Sequence, residues 1–268
     1  MTVAIAERVN KLVDIMSALD PWVARLSVPA DRPRPVVLPS YGGAVEVPNL
    51  TALLALLLQR YGVPVLLHGP ADPTRLCGRV ATVSVLRELG IDPAGSVAEA
   101  QRRIESERIA YVPTDVVVAS SGEPMSRDSR RTPWDGTQAW TRLIDPFGGV
   151  GLRAIAVPRS SCLEAMRAYL AATRADAVLL HETEGEPFAN PYRPPQLECF
   201  RDGVGTVLFD ATGVPSTQPV LPAAIDAATT AAWVSAALAG EQPIPQPILN
   251  ELACCLHAIR GGCAPSGR

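Results

Sequence analysis

Two short apolar runs bracket a glycine turn and a leucine-rich stretch, and this arrangement limits the fold more than anything else in the chain. Residues 36–38 and 63–67 have the length and composition of buried strands. Between them lies Ser40-Tyr41-Gly42-Gly43-Ala44, a turn whose two glycines free the backbone for positive φ and for close approach to a ligand. Asn49 is placed to cap the following helix, its side-chain oxygen accepting from a first-turn N–H. Leu53, Leu54, Leu56, Leu57 and Leu58 make that helix apolar almost all round, so it is expected inside the protein. Gly62 suits the position just past its end. Strand, helix and strand joined this closely predict a right-handed parallel crossover. Ligands of such sheets sit beyond the carboxyl ends of the strands, where Gly42-Gly43 and His68-Gly69 both fall.

The rest of the chain extends the pattern. Residues 2–19 carry a wide apolar stripe and read as a helix that must pack on something else. A proline-rich linker at 29–35 leads into the first strand. Helices are expected at 80–89, at 96–108 with Ser96 and Glu99 as a capping box, at 134–144, 160–173, 222–239 and 247–259. Strands are expected at 109–112, 115–118, 152–157, 177–180, 197–200 and 206–209. This alternation predicts an α/β fold with a mostly parallel central sheet flanked by helices.

Bulk properties exclude some classes of function. With 268 residues and 47% hydrophobic content, the chain is long enough for one large α/β domain with a small addition. A net charge of −3 is not that of a protein that binds nucleic acid over its whole surface. Lys11 is the only lysine, so lysine chemistry in the core has no candidate. Six scattered cysteines without a C-x-x-C motif fit reduced thiols. The first residues lack a signal-peptide core, and no run reaches ~18 apolar residues. The expectation is a soluble, cytoplasmic protein with no membrane partner.

Three groups of residues have the types and spacing for chemistry. Free N–H groups at Gly42-Gly43 suit a phosphate, although the turn matches neither the P-loop nor the dinucleotide fingerprint, and alone it reads first as a structural turn. Glu182, Glu184 and Glu186 follow a strand, and hard carboxylates at a sheet edge suit Mg²⁺; a solvated acidic loop is the plainer alternative. Arg127, Arg130 and Arg131 precede Trp134, an arrangement suited to a phosphate backbone with a stacking ring; Glu123, Asp128 and Asp135 dilute the charge. Cys254 and His257 share a helix face but lack the second pair a zinc site needs.

Several stretches taken together carry a family resemblance. They are PSYGGAVEVPNLTALLALLLQRYGVPVLLHG, ATVSVLRELGI, AYVPTDV, TRLIDPFGG, LLHETEGEPFANP and PAAIDAATTAAWVSAALAGEQP. The chain resembles the anthranilate phosphoribosyltransferase superfamily (glycosyltransferase family 3), and within it the YbiB-type branch, whose members are regarded as nucleic-acid-binding proteins. The resemblance covers roughly residues 33–240 and implies a small helical domain, here a remnant at 1–28, beside an α/β domain at 29–268. It also implies a homodimer. By the same resemblance Gly42 and Gly43 correspond to a diphosphate loop, Asn49 and Thr51 to the pair at the next helix, and His68 and Gly69 to a Lys-His-Gly strand end. Glu184 and Glu186 fall near an acidic metal motif. Leu67 stands where the enzymes have lysine, Ala44-Val45 where their loop continues with an acidic residue, and Pro70 where they have asparagine. The expected function is therefore that of a homologue with eroded catalytic motifs, binding single- or double-stranded nucleic acid or another phosphate-bearing ligand. The alternative is an active Mg-dependent pentosyltransferase that uses phosphoribosyl pyrophosphate with an unknown acceptor.

Overall fold

The computed structural model describes residues 3–72, 76, 78–118, 139–158, 160–181, 185–213 and 218–260. In chain order the elements are α1 (Val3–Leu19), β1 (Val36–Pro39), α2 (Thr51–Arg60), β2 (Val65–Gly69), α3 (Thr82–Glu88), α4 (Val97–Ser106), β3 (Ile109–Pro113) and α5 (Thr114–Val117). They continue with β4 (Leu152–Val157), α6 (Ser160–Ala172), β5 (Ala177–His181), β6 (Leu197–Arg201), β7 (Val204–Phe209), α7 (Ala227–Ala239) and α8 (Gln246–Arg260). Short 3-10 turns occupy Asp20–Trp22 and Ala139–Leu143.

The strands form one sheet in the order β3-β2-β1-β4-β5-β6-β7. The first five are parallel, and β6 and β7 close one edge as an antiparallel pair. The chain moves outward from β1 to β3, then returns to the other side of β1 with β4. The strand order thus reverses between β1 and β4, and in open α/β sheets a crevice forms beyond the carboxyl ends at such a reversal.

Every residue of β1 through β4 is buried, because both sheet faces are covered and successive side chains point to opposite faces. Val36, Leu38, Val65 and Leu67 enter a core with α2, α3, α7 and α8. Val37 and Leu66 enter the opposite core with Ala100 and Ile104 of α4. The hydrophobic stripe of α1 is covered by this second side: Val9 and Leu12 pack with Leu163, Met166 and Leu170 of α6 and with Ile155 and Leu179 of the sheet. Leu19 joins the core that holds Val37 and Ile144.

Local signals hold at several ends. Ser96 accepts from the Glu99 N–H at 3.2 Å, and the Glu99 carboxylate reaches back to the Gly95 N–H at 2.8 Å. Asn49 Oδ1 accepts from the Thr51 N–H at 3.2 Å, while Leu50 is the residue at the cap position. The strand expected at 115–118 is instead the helical turn α5. The chain leaves the sheet after Pro113, and the Thr114 hydroxyl donates to the Gly69 carbonyl at 2.8 Å. The β-branched run that suggested a strand serves packing here, with Val117 buried. Of the helix expected at 134–144, the described part is the 3-10 turn.

Truncating Leu12, which is fully buried in the core shared by α1, α6 and the sheet, is expected to lower stability by about 2–5 kcal/mol. Urea unfolding of Leu12→Ala checks this. A change near zero would contradict the seating of α1 in that core.

Candidate functional site

The loop that leaves β1 at the strand-order reversal is built around one carboxylate. Glu186 has no exposed surface. Its Oε1 accepts from the N–H groups of Gly42 and Gly43, each at 2.7 Å. Its Oε2 accepts from the hydroxyls of Ser40 at 2.5 Å, Thr82 at 2.8 Å and Thr51 at 3.3 Å, and more distantly from Asn49 Nδ2 at 3.5 Å. These donors come from the β1 loop, the segment before α2, the start of α2 and the start of α3. Glu186 itself comes from the chain after β5.

The loop needs its glycine. Gly43 has φ +62°, and a Cβ there would stand 2.7 Å from Arg79 Cβ. Gly42 keeps some exposure at the rim. Gly69 has a packing role: a Cβ on it would lie 2.2 Å from the Ser40 carbonyl oxygen, so only glycine lets the end of β2 approach the loop.

His68 lies beside this site with no exposed surface. Its Nδ1 is 2.8 Å from the Tyr41 hydroxyl, which is also 2.9 Å from Thr114 Oγ1. The two rings meet edge to face with centroids 5.5 Å apart. Burial lowers the His68 pKa to about 4, with the Ile144 carbonyl acting in the opposite sense. The imidazole is therefore neutral near pH 7 and supplies no cation to the loop. Leu67, the residue before it, is fully buried among apolar neighbours.

Two arginines flank the loop. Arg79 donates to the carbonyls of Gly42 at 3.4 Å and Gly43 at 3.3 Å. Arg142 donates to the Gly185 carbonyl at 3.3 Å. Burial lowers the Arg142 pKa, and the charge of Glu186 opposes that shift. The segment carrying Glu186 is fixed on its other side by Glu251 of α8, whose Oε2 accepts from the Ala189 N–H at 2.6 Å. Burial raises Glu251 to about 8, partly offset by that hydrogen bond.

Gly42, Gly43, Asn49, Thr51 and Glu186 thus share one site, with His68 and Gly69 behind it. Arg127, Arg130, Arg131, Trp134 and Glu184 lie outside the described residues. Ser40, Thr82, Arg79 and Arg142 escaped the sequence reading, although Ser40 sits in the glycine turn and Arg142 in the TRLIDPFGG stretch. For Mg²⁺ the geometry of Glu186 is a poor fit. A cation needs oxygen lone pairs directed at it, whereas here N–H and O–H groups converge on the carboxylate. Among the described residues no cluster of three His, Cys, Asp or Glu forms a metal site.

A second concavity opens at the opposite end of the sheet, among Arg34, Arg153, Arg174 and Arg201. Arg34 pairs with Asp176 and Arg174 with Asp202. Arg153 donates to the Leu143 carbonyl and Arg201 to that of His257. These guanidiniums tie down strand ends and helix carboxyl termini, a structural use of arginine.

With this geometry in view, the relatives are informative. Over 251 residues the chain is 32% identical to the uncharacterized protein YbiB of Escherichia coli (strain K12), spanning 92% of this chain and 77% of that protein. The chain belongs to the YbiB family. Its fold matches anthranilate phosphoribosyltransferase (TrpD) from Thermus thermophilus with a TM-score of 0.58 at 17% identity, covering 93% of this chain and 74% of that one. It also matches the Saccharomyces cerevisiae enzyme, solved in complex with phosphoribosyl pyrophosphate and Mg, with a TM-score of 0.54 at 10% identity and coverage of 93% and 70%. No family model matches the sequence. No helix among the described residues is long and apolar enough to cross a membrane.

Two outcomes follow from the site's energetics. Glu186→Gln keeps the shape but weakens charge-assisted hydrogen bonds, and is expected to cost about 1–3 kcal/mol in urea unfolding. His68 has a folded pKa depressed below the ordinary 6.5. Its contribution is complete above pH ~6.5 and lost as pH falls through ~4, about 3 kcal/mol in all. The stability difference between wild type and His68→Gln should therefore change over that window; a pH-independent difference would contradict a buried neutral imidazole.

Proposed function

We propose that this protein has the phosphoribosyltransferase fold without anthranilate transferase activity, and that it binds the phosphates of nucleic acid. The observation that carries the first half is the engagement of the Gly42 and Gly43 N–H groups by Glu186. A diphosphate leaving group needs donors and positive charge at its developing anion. Here the donors already hold a carboxylate, and the position of the enzymes' lysine is the buried Leu67.

The second half rests on the YbiB resemblance and on Arg127, Arg130, Arg131 and Trp134. In the chain that stretch lies between α5 and the turn that carries Arg142 beside the loop. Phosphate contacts of this kind give affinity that falls steeply with salt, and a ring beside them stacks on a base.

The competing reading is an active pentosyltransferase in which Glu184 and Glu186 hold Mg²⁺ for phosphoribosyl pyrophosphate. Calorimetry separates the two: the wild type should give no heat with phosphoribosyl pyrophosphate, with or without Mg²⁺. Heat that requires Mg²⁺ would overturn the proposal in favour of the enzyme. In a salt-titrated assay with a single-stranded oligonucleotide, binding should strengthen as salt falls. Replacing Arg127, Arg130 and Arg131 together by Ala should flatten the log–log slope by roughly 2. Absence of binding even at low salt would refute the nucleic-acid half.

A further inference from the structure

We infer that Glu186 is a tethered ligand of an oxyanion site: the cradle formed by Gly42, Gly43, Ser40 and Thr82 is competent to bind inorganic phosphate or pyrophosphate, and the chain's own carboxylate excludes them. This deepens the reading above and rests on it for the loss of transferase activity.

The donor set is the first ground. Two adjacent backbone N–H groups converge on one oxygen at 2.7 Å. Two hydroxyls converge on the other at 2.5 and 2.8 Å. A buried acid that merely satisfies stray groups does not need this many. Glu251 is equally buried, yet among the described residues it has one hydrogen bond, from Ala189, and its Oε1 has no partner. The groups gathered on the Glu186 carboxylate are donors, and adjacent N–H groups in a turn form the concave anion site known as a nest. A phosphate offers the same acceptor oxygens to the same donors. Charge points the same way, since the guanidiniums of Arg79 and Arg142 stand at the loop.

Tethering is the second ground. Glu186 is held on both sides. Gly185 before it has φ +93°, and its missing Cβ would lie 3.7 Å from Gly42 Cα and 3.0 Å from Arg142 Nη2. After it, the Phe188 N–H bonds the Glu186 carbonyl at 2.9 Å, Phe188 and Ala189 are buried, and Glu251 holds the Ala189 N–H. A carboxylate fixed in this way competes with free anions at a high effective concentration, because its ordering cost is met by folding. Gly42, half-buried at the rim, marks the side from which a free anion would enter once the carboxylate is gone.

The test removes the tethered ligand and offers a free one. In Glu186→Ala, pyrophosphate is expected to raise Tm by several degrees over chloride at matched ionic strength, and to shift the ¹H–¹⁵N resonances of Gly42 and Gly43. The wild type and Glu186→Gln, in which the side chain still fills the cradle, should show neither effect. If Glu186→Ala is unfolded in dilute buffer, recovery of the fold by pyrophosphate and not by chloride supports the inference, and no recovery overturns it. A folded Glu186→Ala whose Tm and loop amides ignore pyrophosphate overturns it. So do wild-type loop amides that move as much as the variant's. The inertness of the wild type toward phosphoribosyl pyrophosphate is measured separately. A failure of Glu186→Ala therefore leaves the non-transferase reading standing, while heat from wild type with that substrate removes the reading itself.

Discussion

The contact between Glu186 and the loop after β1 organises everything around it. A turn that directs two neighbouring N–H groups inward must give them an acceptor, because a buried donor left alone costs about 1–3 kcal/mol. In this chain the acceptor comes from the far side of the sheet, after β5. One side chain thereby joins the β1 loop, the beginnings of α2 and α3, and the segment that runs on to β6. It works as a cross-link as well as a partner for the turn, which is why the site and the fold cannot be separated in this molecule.

The sheet explains why the contact forms at that place. With β4 on the opposite side of β1 from β2, the strand order reverses there, and in open α/β sheets loops that hold ligands gather beyond the carboxyl ends at such a reversal. The sheet's parallel core is buried on both faces, so its strands are rigid supports for whatever lies at that end. Gly69 then brings the end of β2 against Ser40, and Thr114 at the start of α5 bonds the Gly69 carbonyl. These close approaches set the depth at which Tyr41 and His68 meet edge to face behind the loop.

Much of the fold could be read from residue patterns, and much of the site could not. The parallel crossover at 36–69 followed from short apolar runs and a helix apolar on all sides, because a sheet covered on both faces demands that composition. The capping box at Ser96 was legible for the same reason: it is local chemistry. The turn α5 was not, since the valines at 116–118 favour a strand while contacts distant in sequence, from Thr114 to Gly69 and from Ala24 to Val117, hold the turn. In the site, Gly42, Gly43, Asn49 and Thr51 stood out as one motif, and Glu186 as part of an acidic run. That they are partners was hidden, because 135 to 144 residues separate the acid from all four. An acidic run beside a glycine turn suggests a metal and a phosphate bound side by side. Only the three-dimensional arrangement reveals the acid occupying the turn's own donors.

Two buried ionisable groups near the loop act on stability in opposite directions with pH. Burial depresses His68, so it favours the folded state most above pH ~6.5 and loses that contribution toward ~4. Burial raises Glu251, from an ordinary 4.5 to about 8. A carboxyl shifted upward is neutral in the fold and ionised in the unfolded chain over that interval. Its contribution is therefore full below pH ~4.5 and is lost as pH rises through ~8, by on the order of 3 kcal/mol at pH 7. Glu251 holds the Ala189 N–H in the segment that delivers Glu186, and the cost comes from burial of the carboxyl, with that hydrogen bond opposing it. Raising pH therefore lowers the stability of the fold through ionisation of a buried carboxyl, while the hydrogen bond from Ala189 itself strengthens. The carboxylate in the cradle and the carboxyl behind it are thus different devices. Among the described residues one meets six donors, while the other meets the Ala189 N–H and has its pKa held up by burial.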